Sequence, residues 1–529
     1  MLRTCSLLFK DRCGILLNGC VAIVVAWSGQ FMRDFSILAA TIVALSASCF
    51  AGSYGGGTGD PNAPYLISLP DHLVELSRKP ADWGRYFLVT NDIDFSEPNE
   101  SNFTPIGNKT VWFSGVFDGG NHSISGFNYR SIGRDYVGLF GYTRGTPAIL
   151  RNVHIVDCYV DGGTGNRVGG LVGEAFETHI ENCSSSGAVI STGEYVGGLI
   201  GWLYWYSIAQ GCSSSVDVYG GSSETGGLIG GSFMYCNIVN CCATGDVRGE
   251  HQVGGLIGLD NGFTAHCFAT GNVELPLDVN GSGGGLIGCA LGRIQTSYAT
   301  GSITGGRWAG GLVGDTENAR IEYCFAIGNV TSDIAGGLVG FADYYTYIRN
   351  CYAKGGVFGS ENAGGLTGTL AYYSELDHCF ATGMVSGERY SEKGGLSGNS
   401  VYAPTCLFDK ETTGQTGTNG ETTENMQRRS TYIAKGWDFT NESVIGVLDT
   451  WRMCQNGLDY PRLGWEFGSD FACPEGRGIE DLLFIADRWL DITTRTFGKY
   501  FPFGPADLTG DCEITFEDFA ILSSEWRKE

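Results

Sequence analysis

Apolar and polar positions along this chain repeat on two scales. On the short scale, Ile180-Glu-Asn-Cys183-Ser-Ser-Ser-Gly187-Ala-Val189 has counterparts at Ile238–Val247, Ile321–Val330 and Ile348–Val357. Cys, Ala or Ser, Gly and Val fall at i, i+2, i+4 and i+6, which is the period of a strand with small residues on one face. A helix would space its apolar residues three and four apart, and the dense glycines would penalise it further. On the long scale the motif GGLxG occurs nine times, with first glycines Gly169, Gly197, Gly226, Gly254, Gly284, Gly310, Gly336, Gly364 and Gly394. The spacings are 28, 29, 28, 30, 26, 26, 28 and 30, and Val137-Gly-Leu-Phe-Gly141 opens the series.

A fixed period of this length predicts a solenoid, in which each unit buries its apolar face only against its neighbours. Each unit holds a few short strands joined by turns. The expected fold is therefore mainly β: a right-handed parallel β-helix of about ten rungs, roughly 50 Å long at ~4.8 Å per rung. The glycines suit tight corners and close backbone approach. Leu171, Leu199, Leu228, Leu256, Leu286, Leu312, Leu338, Leu366 and Leu396 are predicted to stack as one interior column. A second column is predicted from Cys158, Cys183, Cys212, Cys241, Cys267, Cys324, Cys351, Cys379 and Cys406, with Ser297 standing in once. Cysteine serves here as a small buried residue; CxxC pairs are absent, and a ladder of equivalent positions offers no tetrahedral metal cage.

The 529 residues include 83 Gly, and 33 Lys plus Arg stand against 57 Asp plus Glu, for a formal charge of −24. That balance excludes nucleic acid, whose binding needs a basic footprint, and fits an extracellular protein able to hold calcium. Met32-Arg33-Asp-Phe, the apolar run Ile37–Leu45 and Cys49-Phe-Ala51 form a secretory signal pattern. Met32 is then an alternative start. The apolar stretch Cys13–Trp27 is too short for a comfortable membrane span, so no stable span is expected after leader removal. The expected organisation is a leader at 1–51, an N-terminal cap with the first rungs at 52–136, the repeat β-helix at 137–410, a C-terminal cap at 411–467 and a separate module at 468–529. Trp83, Trp437, Trp451 and Trp465 are expected to form cap core.

The repeats resemble GLUG-motif repeats, found in bacterial surface proteins and beside some secreted peptidases. Asp60-Pro-Asn-Ala-Pro-Tyr65, Phe117-Asp-Gly-Gly-Asn-His122, Phe408-Asp-Lys-Glu-Thr-Thr-Gly-Gln415 and the stretch Gly436–Leu463 resemble the flanks of such proteins, so the resemblance covers residues 54–467. It informs architecture more than activity.

Residues 468–529 change character, with two helical patterns and an internal duplication: Asp481–Trp489 aligns with Asp518–Trp526. Asp507-Leu-Thr509-Gly-Asp511-Cys-Glu513-Ile-Thr515-Phe-Glu-Asp518 places oxygen-bearing residues as an EF-hand type calcium loop requires. Asp507, Thr509 and Asp511 would give side-chain oxygens, Glu513 its carbonyl and Asp518 the closing carboxylate. The first loop, Asp470–Asp481, carries Ala472 and Pro474 and is not expected to bind Ca²⁺ well. The pair resembles a small α-helical dockerin-type module, which implies Ca²⁺ as cofactor and a cohesin-like protein as partner.

Catalytic signatures are sparse. There is no HExxH, no GxSxG elbow and no pairing among the seven histidines. The residues after GGLxG vary most (Glu174, Trp202, Gly231, Asp260, Asp315 and Asp343), and Asp315 and Asp343 are placed one rung apart as the acidic pair a polysaccharide-active enzyme would need. The same corner carries aromatics with sugar-stacking potential: Trp202, Trp205, Tyr206, Tyr344, Tyr345, Tyr347, Tyr372 and Tyr373. An aromatic ladder packing on itself is the alternative, and ring exposure separates the two. These features point to a secreted or cell-surface, non-catalytic adhesion or scaffold protein. A polysaccharide-binding or polysaccharide-degrading β-helix is the alternative, and a peptidase-associated role comes third.

Overall fold

The structure, a computed structural model, describes residues 54–96, 103–221, 223–371, 373–399, 401–440 and 450–467. The expected leader, the calcium-loop residues Asp507, Thr509, Asp511, Glu513 and Asp518, and Tyr372 all lie outside these residues. The described chain forms a β-solenoid of about 11 turns, whose strands make two large parallel sheets of 19 and 27 strands.

Register follows the repeat residue by residue. In the first sheet Ile200, Ile229, Ile257, Ile287, Val313, Val339 and Thr367 are successive partners. In the second sheet Val189, Val218, Val247, Val273, Ile303, Val330, Val357 and Val385 do the same. The leucine column forms as expected. Each leucine from Leu171 to Leu366 donates its N–H to the carbonyl of the leucine one rung on, at 2.8–3.0 Å. All nine side chains are buried, each contributing roughly 2 kcal/mol of transfer free energy.

GGLxG is glycine-rich because the chain folds back on itself too closely for a side chain. A Cβ on Gly254 would stand 1.9 Å from the Ile257 carbonyl oxygen, one on Gly255 2.1 Å from the Gly285 oxygen, and one on Gly258 2.4 Å from the Gly230 oxygen. Left-handed backbone appears at a different corner, one residue before Val153, before Ser297 and before the repeat cysteines Cys183, Cys212, Cys241, Cys267, Cys324, Cys351 and Cys379. Asn152, Asn182, Gly211, Asn240, His266, Thr296, Tyr323, Asn350 and His378 all have φ between 48° and 64° there. Asn recurs because its side chain tolerates this conformation best after glycine.

The cysteine column runs from Cys183 to Cys406 through Ser297, whose hydroxyl accepts from Cys267 N–H at 3.1 Å. One member is corrected. Cys158 pairs with Gly187, and Val153 occupies the position beneath Cys183, because Ser184 is in register with His154. The described chain bulges between these pairs, which a count along the sequence cannot detect. The column thiols are free, and burial pushes those of Cys183, Cys241, Cys351 and Cys406 well up, keeping them neutral.

At the C-terminal end, Leu407–Asp409 and Gly420–Glu421 continue the second sheet. The following segment packs along the flank of the last rungs. Trp437, Trp451, Tyr432 and Phe439 form a second buried cluster with Tyr352 and Phe380. The Trp465 indole N–H reaches the Tyr323 carbonyl at 3.0 Å. Trp83 is buried near the other end, its indole N–H on the Leu76 carbonyl at 2.8 Å.

Candidate functional site: an aromatic edge of the solenoid

Past each GGLxG the chain runs three or four residues along the first sheet and then turns. The third residue after the motif's last glycine forms a column at this edge: Arg144, Phe176, Tyr204 and Phe233 are successive register partners. Tyr204 and Phe233 stack at 6.5 Å and 12°, and the Arg144 guanidinium lies 4.5 Å from the Phe176 ring centre. Trp112, from a loop outside the repeats, approaches the same guanidinium at 5.1 Å.

A second, more outward row is raised by left-handed turn residues. Trp205, Tyr206, Met234, Tyr235, Tyr345 and Tyr373 all have positive φ, which points their side chains away from the sheet. Trp205 is 37% exposed, Tyr206 59% and Tyr235 66%; further along, Tyr345 is 61% and Tyr373 72%. Tyr206 stacks on Tyr235 at 5.2 Å and 19°, and Tyr345 on Tyr373 at 5.2 Å and 9°. The two patches are separated by corners built on Asn261, Leu291 and Asn318, four rung steps or about 19 Å in all. Each stacked pair covers one ring face against its partner while the side chains stay exposed, and exposed aromatics suit the apolar faces of sugars.

The remaining sequence candidates are spread around this edge. Trp202 is only 9% exposed, lodged between Tyr195 at 3.9 Å and Phe233 at 6.4 Å. Tyr344 is exposed beside Tyr345. Tyr347 lies half-buried, with the Arg320 guanidinium 5.5 Å from its ring and its hydroxyl donating to Asp377 at 3.4 Å. Trp112, Arg144 and Phe176 were not singled out from sequence. Aligning the repeats at the third position after the last glycine finds Arg144 and Phe176, whereas Trp112 belongs to no repeat and leaves no such signal.

Asp315 and Asp343 lie on neighbouring rungs, as the sequence suggested, but not directly opposite each other. Asp315 is in register with Cys289 and Phe341, while Asp343 pairs with Glu317, two residues further along the strand. Asp343 stands third after Gly340 whereas Asp315 stands first after Gly314, so the two are offset although their strands keep register throughout. Burial, with Asp343 and Glu317 acting in the same direction, raises the Asp315 carboxyl to about 7. Asp260 is fully buried and structural: Ser232 and Thr264 hydroxyls and the Gly262 N–H all donate to it. Among the described residues no group of three or more His, Cys, Asp and Glu is arranged to hold a metal ion.

The fold defines a parallel β-solenoid built from in-register repeats. Residues 164–190 match the family described as the GLUG motif. The chain is 35% identical over 154 residues to Halomucin of Haloquadratum walsbyi, a match covering 27% of this chain and 2% of that protein. It is 33% identical over 135 residues to a "Putative Gly-rich membrane protein" of Evansella cellulosilytica, covering 25% of this chain and 15% of that one. The matched part thus spans a small fraction of either relative's length. A solved structure described as a putative immunoglobulin A1 protease from Bacteroides ovatus aligns over 78% of this chain and 96% of its own at 17% identity, with a TM-score of 0.28 that carries no functional weight. Among the described residues no helix is long and apolar enough to cross a membrane.

Proposed function

We propose that this protein is a non-catalytic, secreted or surface-associated display rod that contacts glycans through its aromatic edge. The observation that carries this is the pair of exposed, rung-stacked aromatic patches on a solenoid whose register is continuous from Leu171 to Leu396. Such a body is stiff, because each rung is fixed by hydrogen bonds to both neighbours. It therefore holds ring faces at set spacings without ordering a loop on binding. The relatives' names, a mucin and a membrane protein, support a surface setting. The test is glycan retention on affinity gels. The double variant Tyr345→Ala/Tyr373→Ala is expected to weaken retention about tenfold or more, since losing a buried aromatic contact costs at least ~1.4 kcal/mol. Equal retention by the variant and the parent would remove the edge from the binding surface.

The tether belongs to the same proposal. Residues 468–529 would dock the rod onto a cohesin-like partner once Asp507, Thr509, Asp511, Glu513 and Asp518 enclose Ca²⁺. The support is the spacing of these oxygen-bearing residues. Calorimetric titration of the full chain is expected to show one Ca²⁺ bound, and none after Asp511→Ala. An identical heat in parent and variant would discard this loop as the site.

A further inference from the structure

The N-terminal end of the aromatic edge differs chemically from the rest, because a cation is built into the stack. Arg144 lies against two rings, Trp112 at 5.1 Å and Phe176 at 4.5 Å. Its neighbours along the solenoid have carboxylate partners: Arg151 pairs with Asp118 at 2.8 Å and Arg167 with Glu174 at 2.7 Å. Among the described residues no carboxylate pairs with Arg144, in a chain where acids outnumber bases 57 to 33. A guanidinium held against rings and paired with no carboxylate keeps N–H groups that suit a planar two-oxygen acceptor.

The surroundings are fixed in place. Phe113 forms a parallel bridge with Thr143. Its N–H donates to the Tyr142 carbonyl at 3.1 Å, and the Arg144 N–H donates to the Phe113 carbonyl at 2.9 Å. These bonds seat Trp112 next to Arg144. Behind Trp112 the loop is closed by Asn108, whose side-chain oxygen accepts from the N–H groups of Thr110 and Val111 at 2.9 and 3.0 Å. Trp112 also lines a cleft of about 250 Å³ with Pro80, Trp83, Thr110, Val111 and Ser114. Trp112 itself is 38% exposed. Lys109, on the same loop, has its ammonium 5.9 Å from the Tyr136 ring and adds a second positive charge to this end.

We propose that the Trp112–Arg144–Phe176 end of the edge binds acidic sugar residues, the Arg144 guanidinium taking the carboxylate and Trp112 the apolar sugar face at the mouth of the cleft. This rests on the glycan-contacting role of the edge and names the class of glycan. Neutral sugars stack along the tyrosine patches without selection for charge, and the guanidinium supplies that selection. A carboxylate or a sulfate could satisfy the same N–H edge with two oxygens, and the carboxylate is the ligand proposed.

The test is titration of the full chain with a galacturonate oligosaccharide and with its methyl ester, which keeps the sugar faces and removes the charge. The acid is expected to bind about tenfold or more tightly than the ester. Arg144→Gln is expected to bring acid binding down to the level of the ester, abolishing that preference. Arg144→Lys is expected to keep only part of it, since an ammonium lacks the flat two-donor edge. Equal binding of acid and ester by the parent overturns the proposal, as does an acid preference surviving in Arg144→Gln. A sulfated oligosaccharide preferred over the galacturonate overturns the assignment to carboxylate. If neither acid nor ester binds, the glycan-contacting role of the edge falls as well; if both bind equally, only the charge selection falls.

Discussion

Gly284→Ala is expected to unfold the middle of the solenoid, at a cost of more than about 4 kcal/mol. The added Cβ would stand 1.8 Å from the Ile287 carbonyl oxygen and 2.7 Å from the Gly314 nitrogen of the next rung. Both obstacles are backbone, and both belong to the ladder that joins successive rungs, so neither can move without breaking register. A rung forced out of register also loses its two neighbours, because each unit is stable only through their contact. Gly356→Ala is the matched control. The nearest atom to its Cβ is the Asn329 side-chain oxygen at 3.2 Å, and the smaller entropy of the unfolded chain makes a near-neutral or slightly stabilising change the expectation. Urea unfolding followed by circular dichroism and by tryptophan fluorescence separates the two. A Gly284→Ala midpoint equal to the parent's would show that close approach is not why the motif needs glycine.

The same contrast explains how far the fold was legible in the sequence. Leucine and glycine columns recur at every rung because each rung meets the same neighbour, so a one-dimensional repeat is enough to place them. Cys158 was misplaced because a bulge near Gly187 shifts the pairing without altering the motif that follows. Asp343 falls one rung from Asp315 as expected, and its two-residue offset follows from its place third rather than first after the GGLxG motif. The aromatic edge was legible in Trp205, Tyr206 and Tyr345 as a cluster, but their exposure is set by left-handed turns that nothing local announces in these non-glycine residues. Arg144 was hidden altogether. An isolated arginine in sequence carries no sign that a tryptophan some thirty residues earlier will cover one of its faces.

Asp315→Asn is expected to remove a decline in stability that the parent shows between about pH 4 and pH 7. Burial is the main cause that lifts this carboxyl from 3.8 to about 7, with Asp343 and Glu317 adding to it, and its Oδ1 is buried without a hydrogen bond. The folded chain therefore holds a proton there that the unfolded chain has already released. Stability from this group is fully present below about pH 4, falls as pH rises, and is gone above about pH 7. At 1.36 kcal/mol per unit the full loss is at most about 4 kcal/mol, so the asparagine variant is expected to exceed the parent by up to that amount at pH 8 and by little at pH 4. Thermal unfolding midpoints across this range measure the difference directly. A carboxyl titrating near neutrality would suit a general acid, but here its rung neighbours are Cys289 and Phe341 and the nearest acids lie two residues along the strand. If the buried carboxyl is only a cost to folding, Asp315→Asn gains stability and leaves glycan binding untouched. Release of new reducing ends by the parent, lost in the variant, would instead make this residue part of a catalytic site and overturn the display-rod assignment.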